Sequence, residues 1–144
     1  MRVFTLCLAV VLCAHYFAES AMSSKLDDKS TDGTWQLVSA ELAGESLPAE
    51  AIKSIKMILK NGTYTVYAES EDRGTVQVDT SKSPATLDIT GTEGPNKGKT
   101  FLAIYELKDN RMKVCYDLSG KSRPTEFKTK AGTLLYLAEY EKKE

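Results

Sequence analysis

The sequence has very few of the side chains on which most enzymes and metalloproteins depend. Its 144 residues include one histidine, His15, one tryptophan, Trp35, and three cysteines, Cys7, Cys13 and Cys115. Histidine is the commonest general base and a frequent ligand of zinc and haem, so its scarcity argues against those sites. We therefore expect a non-enzyme with no catalytic residue, no metal and no cofactor.

The chain also lacks an excess of either charge. It has 19 Lys and Arg residues against 20 Asp and Glu residues, a formal net charge of -1. A balanced surface produces no strong field to attract nucleic acid or anionic lipid, so we expect no nucleic-acid partner. The length suits a single domain.

The N-terminus has the composition of an export signal. Met1-Arg2 is followed by an apolar run over 3–14 and by small residues at Ala18-Glu19-Ser20. This order predicts a signal peptide over 1–20 and a secreted or periplasmic protein. The apolar run is too short to cross a bilayer, so we expect no membrane span in the mature protein.

Two consequences concern the cysteines. Cys13 raises the alternative of a lipoprotein anchor, but Val11-Leu12 before it lacks the small residues that such cleavage prefers. Cleavage near Ser20 would leave Cys115 as the one cysteine, which excludes an intramolecular disulfide. We expect Cys115 to be a buried, unreactive thiol, because no histidine would remain to activate it.

After the leader the sequence predicts a flexible tether over 21–32 and a folded domain over 33–144. The tether is small, polar and charged. The domain begins with a strand over 34–43, and 46–53 then predicts one or two helical turns from its capping serine and early proline. Apart from this short helix, the pattern is one of strands and turns.

The clearest hairpin joins 56–60 to 63–67. Asn61-Gly62 between them tolerates the positive φ that a two-residue turn requires. That turn sets Leu59 opposite Tyr64 and Met57 opposite Val66, all on the interior face.

Later segments alternate in the same way. We predict turns at 71–74, 81–84 and 109–110, and strands at 75–79, 85–90, 100–107, 112–118, 125–130 and 134–140. A two-residue turn at Asp109-Asn110 brings the alternate residues from Phe101 to Leu107 onto one face with those from Met112 to Leu118. The connections are short, which favours antiparallel neighbours. The sequence therefore predicts an all-β, up-and-down antiparallel barrel of about eight to nine strands with one short helix.

The first strand carries a recognisable motif. Gly33-Thr34-Trp35 resembles the Gly-x-Trp of the lipocalin-like, or calycin, superfamily. A closer resemblance, over about 33–140, is to a family of small exported lipocalin-like domains found mainly in planctomycete bacteria. It is carried by GTWQLVSAELAGESLPAEAI, TEGPNKGKT, IYEL and RPTEF. The resemblance implies an exported barrel and no particular activity.

The resemblance also implies a structural latch. In lipocalins a basic side chain from a late strand packs over the tryptophan, and Arg123 is the residue here that could match, over Trp35. The alternative is a surface arginine before Pro124. The chain departs from typical secreted lipocalins in lacking a disulfide and in having a shorter core, which weighs against a roomy cavity.

Two further segments suggest chemistry at first sight. Gly94 to Thr100 has three residues between its glycines where a phosphate-binding loop needs four, and a strand follows instead of a helix, so nucleotide binding is not expected. The acidic residues Glu69, Glu71 and Asp72 are interpreted as a solvated turn, because calcium would need more oxygen ligands.

The sequence is compatible with two main functions. The first is a carrier or sensor that binds a small hydrophobic molecule in the barrel, with candidate lining residues Trp35, Met57, Tyr64, Phe101, Tyr105 and Tyr116. The second is a monomeric interaction or inhibitory module with a solid core, which meets an envelope protein through the loops 69–74 and 91–99. A hydrolase or isomerase using carboxylates is a third, unsupported alternative.

Overall fold

A computed structural model describes residues 29–144 of the chain. The predicted signal peptide, 1–20, and the first part of the predicted tether, 21–28, lie outside the described residues. The described part begins with a 3-10 turn, Lys29–Thr31, and contains one helix, α1, Ala49–Ile52. Its strands are β1 Gly33–Leu42, β2 Glu45–Ser46, β3 Lys56–Lys60, β4 Thr63–Tyr67, β5 Glu71–Asp79, β6 Ala85–Glu93, β7 Thr100–Lys108, β8 Arg111–Asp117 and β9 Leu135–Lys143.

The strands close into a barrel. From β3 to β9 each strand pairs antiparallel with the next, and β1 pairs with both β3 and β9. The short β2 only extends a hairpin with β1, so the closed barrel has eight strands. Closure leaves the eight barrel strands without an unpaired edge. The predicted all-β, up-and-down antiparallel barrel with one short helix is confirmed.

The predicted hairpin registers are also confirmed. Leu59 pairs with Tyr64 across Asn61-Gly62, whose φ angles are 49° and 74°. Lys108 pairs with Arg111, and Asp109 has a φ of 54°. Positive φ in these turns matches the twist of the flanking strands, which is why the local turn residues determine the register.

The predicted turn at 71–74 is wrong. β5 begins at Glu71, and the turn lies at 68–70. The β5–β6 pairing shifts between Arg73 and Gly74, where β6 has one extra residue, Thr92, opposite β5. The strand therefore starts four residues before the predicted strand at 75–79.

The predicted strand at 125–130 is also wrong. β8 pairs directly with β9 from Arg111↔Glu141 to Asp117↔Leu135, which leaves no place for another strand between them. The connection 118–134 instead runs over the outer surface of the barrel. There the Thr129 hydroxyl accepts a 2.9 Å hydrogen bond from the Gly44 amide.

This outer connection buries residues that face away from the barrel interior. Ile104 is 2% exposed and Cys115 is fully buried, although both lie on the outer face of their strands. The Cys115 thiol donates to the Lys128 carbonyl at 3.7 Å. Burial raises the pKa of this thiol, in keeping with an unreactive side chain.

One end of the barrel is closed by residues that the sequence had placed in a flexible tether. Thr31 is 3% exposed, and its carbonyl accepts a 2.9 Å hydrogen bond from the indole nitrogen of Trp35, which is fully buried. Asp32 accepts a hydrogen bond from the Asn61 amide at 3.2 Å. The folded domain therefore includes Thr31 and Asp32, which the sequence had assigned to the tether.

The cation over Trp35 is Lys142, and the prediction of Arg123 is wrong. The Lys142 ammonium lies 5.4 Å from the centre of the Trp35 ring. Arg123 lies on the outer surface over β6 and β7, where it pairs with Asp88 at 2.7 Å and donates to the Ala103 carbonyl at 2.7 Å. Lys142 reaches the ring because β9 pairs with β1, a neighbour relation that barrel closure alone creates.

Candidate functional site

The barrel interior contains a cavity of about 270 Å³. It reaches the end of the barrel opposite the 3-10 turn, because its lining includes Ala68 and Ser70 before β5, Pro95 after β6 and Leu118 after β8. These four residues are exposed, so they form a rim. A dry cavity of about 150 Å³ holds a benzene molecule in a well-packed protein, so this one has room for a larger ligand.

Four of the six side chains predicted to line the barrel surround this cavity, namely Met57, Tyr64, Phe101 and Tyr116. Trp35 and Tyr105 are not among its lining residues. Trp35 packs at the closed end under Thr31. Tyr105 has the inward orientation that was predicted, but it lies four residues beyond Phe101, about 13 Å further along β7 in the direction of the closed end.

Tyr105 contributes instead to a separate, open cleft. This cleft has a volume of about 540 Å³ and is bordered by Ser30, Pro84, Leu107 and Phe127, among others. It lies at the closed end, so the two hollows are on opposite sides of the packed core.

Aromatic rings form one wall of the cavity. The ring centres of Phe101 and Tyr116 are 6.0 Å apart with planes at 41°, and those of Tyr116 and Tyr136 are 5.2 Å apart at 58°. Tyr140 completes the wall on β9. Tilted pairs at these distances are favourable, so the rings hold one another in place. The sequence analysis did not propose Tyr136 and Tyr140, although their alternate spacing in the predicted last strand would have pointed to them.

A buried carboxylate lies across the cavity from this wall. Asp72 is 8% exposed and is one of the lining residues. One of its oxygens, Oδ2, accepts from the Tyr64 hydroxyl at 3.0 Å and from the Asn96 side-chain amide at 2.9 Å. The other, Oδ1, accepts from the Asn96 backbone amide at 3.1 Å. Asp72 therefore holds a strand residue and a loop residue together at the mouth.

The surroundings of Tyr64 keep its phenol protonated. Burial raises the pKa of Tyr64 well above its ordinary value, and the hydrogen bond to Asp72 and the negative charge of that carboxylate raise it further. Tyr64 is thus a permanent donor to Asp72 over the ordinary pH range.

Glycines allow the backbone and the phenol ring to approach so closely. A Cβ on Gly74 would lie 2.0 Å from the Thr90 carbonyl oxygen and 2.6 Å from Cε1 of Tyr64. Gly94 has a φ of 86°, and a Cβ there would lie 2.4 Å from the Glu71 carbonyl oxygen. The absence of these side chains lets the Tyr64 ring lie against β5 and the loop after β6 fold onto the start of β5.

That loop is itself internally bonded. The Gly98 amide donates to the Gly91 carbonyl at 2.9 Å, and the Gly91 amide donates to the Lys99 carbonyl at 3.0 Å. Together with the contacts of Asn96 to Asp72, these bonds fix the loop 94–99 over one side of the mouth. It presents no phosphate-binding geometry, because β7 and not a helix follows it.

The interpretation of Glu69, Glu71 and Asp72 as a solvated acidic turn is therefore wrong for Asp72. Its side chain is in phase with Val76 and Val78 along β5, and Val76 also lines the cavity. Extending that alternation two residues beyond Gly74 would have put Asp72 inside as well. Glu71 faces outward and pairs with Arg73.

The described residues place no cationic side chain in the lining of this cavity. Among the residues that line it there is no Lys, Arg or His. Within the described part of the chain, no Lys or Arg nitrogen lies within 4.0 Å of the Asp72 carboxylate. Residues 29–144 also contain no group of three or more His, Cys, Asp or Glu side chains suited to a metal ion.

Comparisons with protein-family models, curated proteins and solved structures found no match to this chain. The resemblance to the lipocalin-like families therefore stays a prediction from the sequence. In the same described residues, no helix is long and apolar enough to cross a membrane. Function has to be argued from the geometry of the barrel interior.

Proposed function

We propose that the protein is a non-catalytic carrier or sensor that holds one small, largely apolar molecule inside the barrel. The observation that carries the proposal is the cavity of about 270 Å³, walled by aromatic side chains and reaching the surface at one end. Apolar side chains with a few convergent polar groups are typical of small-molecule sites. The energy for binding would come mainly from removing apolar ligand surface from water.

The alternative of an interaction module with a solid core has less support. It requires side chains to fill the interior, whereas the cavity extends from the rim down to Leu59 and Met112. One of its two proposed loops, 69–74, is largely part of β5. An envelope protein could then contact only the loop 94–99, or the alternative would require a further surface that has not been identified.

We also propose export and membership of the lipocalin-like families. The support comes from the leader-like composition of 1–20, from Gly33-x-Trp35 in the first barrel strand, and from a basic side chain of the last strand over the indole. A transport or sensing role outside the cytoplasm would suit a barrel whose one described cysteine is buried and unpaired.

Replacing a lining residue by a larger side chain tests the proposal. Val66 lines the cavity, and its chain neighbour Thr65 faces outward. We expect the wild-type protein to bind 2-phenylethanol saturably, one molecule per chain, in calorimetry or native mass spectrometry. Val66→Phe should weaken this binding because the added ring takes up part of the cavity, whereas Thr65→Phe should preserve it.

Two results would contradict the proposal. One is a wild-type protein that binds no small apolar molecule at millimolar concentration and carries none when it is purified from the cells that make it. The other is equal binding by Val66→Phe and by the wild type, which would place the ligand outside the barrel.

A further inference from the structure

The Asp72 carboxylate has unused hydrogen-bonding capacity. An ionised carboxylate offers about four acceptor positions. Tyr64 and the two donors of Asn96 occupy three of them, two on Oδ2 and one on Oδ1. One position on Oδ1 is left for a donor from a molecule in the cavity.

Among residues 29–144, no positive charge balances that of Asp72. It is the one charged residue among those that line the cavity, and its three hydrogen-bond donors are all neutral. A carboxylate taken out of water is costly unless a cation compensates it. Because no cation of the described chain reaches it, a ligand is the natural source of one.

The aromatic wall of the cavity opposite Asp72 also favours a positively charged ligand group. In the closed order of the barrel, β5 lies four strands from β9 in either direction, so Asp72 faces the side that carries Tyr136 and Tyr140. The face of an aromatic ring attracts a cation. Burial raises the pKa values of both of these tyrosines, so the rings stay neutral phenols and do not become a second set of anions.

We infer that the ligand is a small amphiphilic amine, whose ammonium group binds Asp72 at the mouth while its apolar body lies among the aromatic side chains. This inference rests on the proposed function and specifies its ligand class. A fatty acid or other anionic amphiphile is disfavoured, because its carboxylate would meet Asp72 with no cation in the lining to offset the repulsion.

Three ligands with the same phenyl body isolate the effect of the head group. These are 2-phenylethylamine, which is cationic at pH 7, 2-phenylethanol, which is neutral, and phenylacetate, which is anionic. On the wild-type protein, calorimetry should give a Kd for the amine about tenfold or more below that of the alcohol, as a charge-assisted hydrogen bond predicts. Phenylacetate should bind more weakly than the alcohol.

Substitution of the carboxylate is the second part of the test. In Asp72→Asn the amine should lose its advantage and bind within about threefold of the alcohol, because the side chain keeps its shape but not its charge. Asp88→Asn is the matched control, since Asp88 lies outside the cavity in a pair with Arg123. That variant should keep the wild-type order of the three ligands.

The outcomes separate the two proposals. If the alcohol binds and the amine binds no better, the amine inference is overturned while the proposed function stands. If none of the three ligands binds the wild-type protein at millimolar concentration, both are overturned. If Asp72→Asn does not fold, the order of the three ligands on the wild-type protein decides.

Discussion

The two ends of the barrel use the same strands and the same alternation, yet one is packed and the other is hollow. At the closed end Trp35 is fully buried, and its indole donates to the carbonyl of Thr31 in the 3-10 turn. At the open end the rings of Phe101, Tyr116 and Tyr136 lie against one another along the wall and leave the centre empty. The alternation of apolar residues thus determines which side chains face inward, but not whether they meet in the middle.

The two ends also differ in the contacts that an inward-facing charged side chain makes. Lys142 at the closed end has the Trp35 ring as its partner. Its stem occupies the space beside Gly33, where a Cβ would lie 2.5 Å from Cε of the lysine. Asp72 at the open end has hydrogen bonds, but no Lys or Arg of the described residues pairs with it. Within 29–144, the inward charge therefore has an aromatic partner at the closed end and only neutral partners at the open end.

The largest expected effect concerns the open end at alkaline pH. Four tyrosines lining the cavity, Tyr64, Tyr116, Tyr136 and Tyr140, have pKa values raised chiefly by burial. In the unfolded chain they ionise near pH 10, so above that pH the folded state binds more protons. Their contribution to stability, fully present below about pH 10, should be lost as the pH rises, by about 1.4 kcal/mol per pH unit for each phenol still protonated.

Urea unfolding between pH 8 and 12 measures this loss, and phenolate absorbance reports the titration itself. Ionisation of these phenols should coincide with unfolding. Free titration of all of them near pH 10 in a chain that stays folded would show that the wall is open to water.

The next effect concerns the closed end. Trp35→Ala should lower the free energy of unfolding by about 3 to 5 kcal/mol, because it removes the largest fully buried side chain and leaves a void. The Kd for 2-phenylethanol should change little, since Trp35 does not line the cavity. Tyr67→Ala is the control, as Tyr67 is 37% exposed and should matter much less. A Trp35→Ala midpoint within error of the wild type would contradict the packed end.

A smaller effect is expected where the backbone approaches the Tyr64 ring. Gly74→Ala should cost about 1 to 3 kcal/mol, because the added methyl overlaps the Thr90 carbonyl and cannot be relieved by a flexible side chain. It should also weaken 2-phenylethanol binding by displacing Tyr64. Thr75→Ala, at the neighbouring exposed position, should do neither. Denaturant midpoints and calorimetry on both variants make the comparison, and equal behaviour would remove the role assigned to Gly74.

The smallest effect tests the cation over the indole. Lys142→Met keeps an apolar stem but removes the charge, and should cost about 0.5 to 2 kcal/mol. Lys143→Met removes a charge that pairs with Glu141 on the surface, which is worth little. The difference between the two denaturation midpoints measures the interaction. If Lys143→Met costs as much, the contact with Trp35 contributes no specific stability.

The sequence by itself determined the local features of this fold. Asn61-Gly62 and Asp109-Asn110 determine the registers of their hairpins, because turn geometry is a property of adjacent residues. Alternation then assigned Met57, Tyr64, Phe101 and Tyr116 to the interior. These features together were sufficient to predict a closed antiparallel barrel and part of the cavity lining.

The tertiary structure alone decided the features that depend on distant residues meeting. Closure of β1 on β9 brought Lys142, and not Arg123, over Trp35. The path of 118–134 across the outer surface buried Cys115. The folding of Asn96 onto Asp72 turned an acidic segment into a buried carboxylate at the mouth of a cavity. Each contact joins segments that are separated in the chain, so no local pattern specifies it, and the first exists only because the barrel closes.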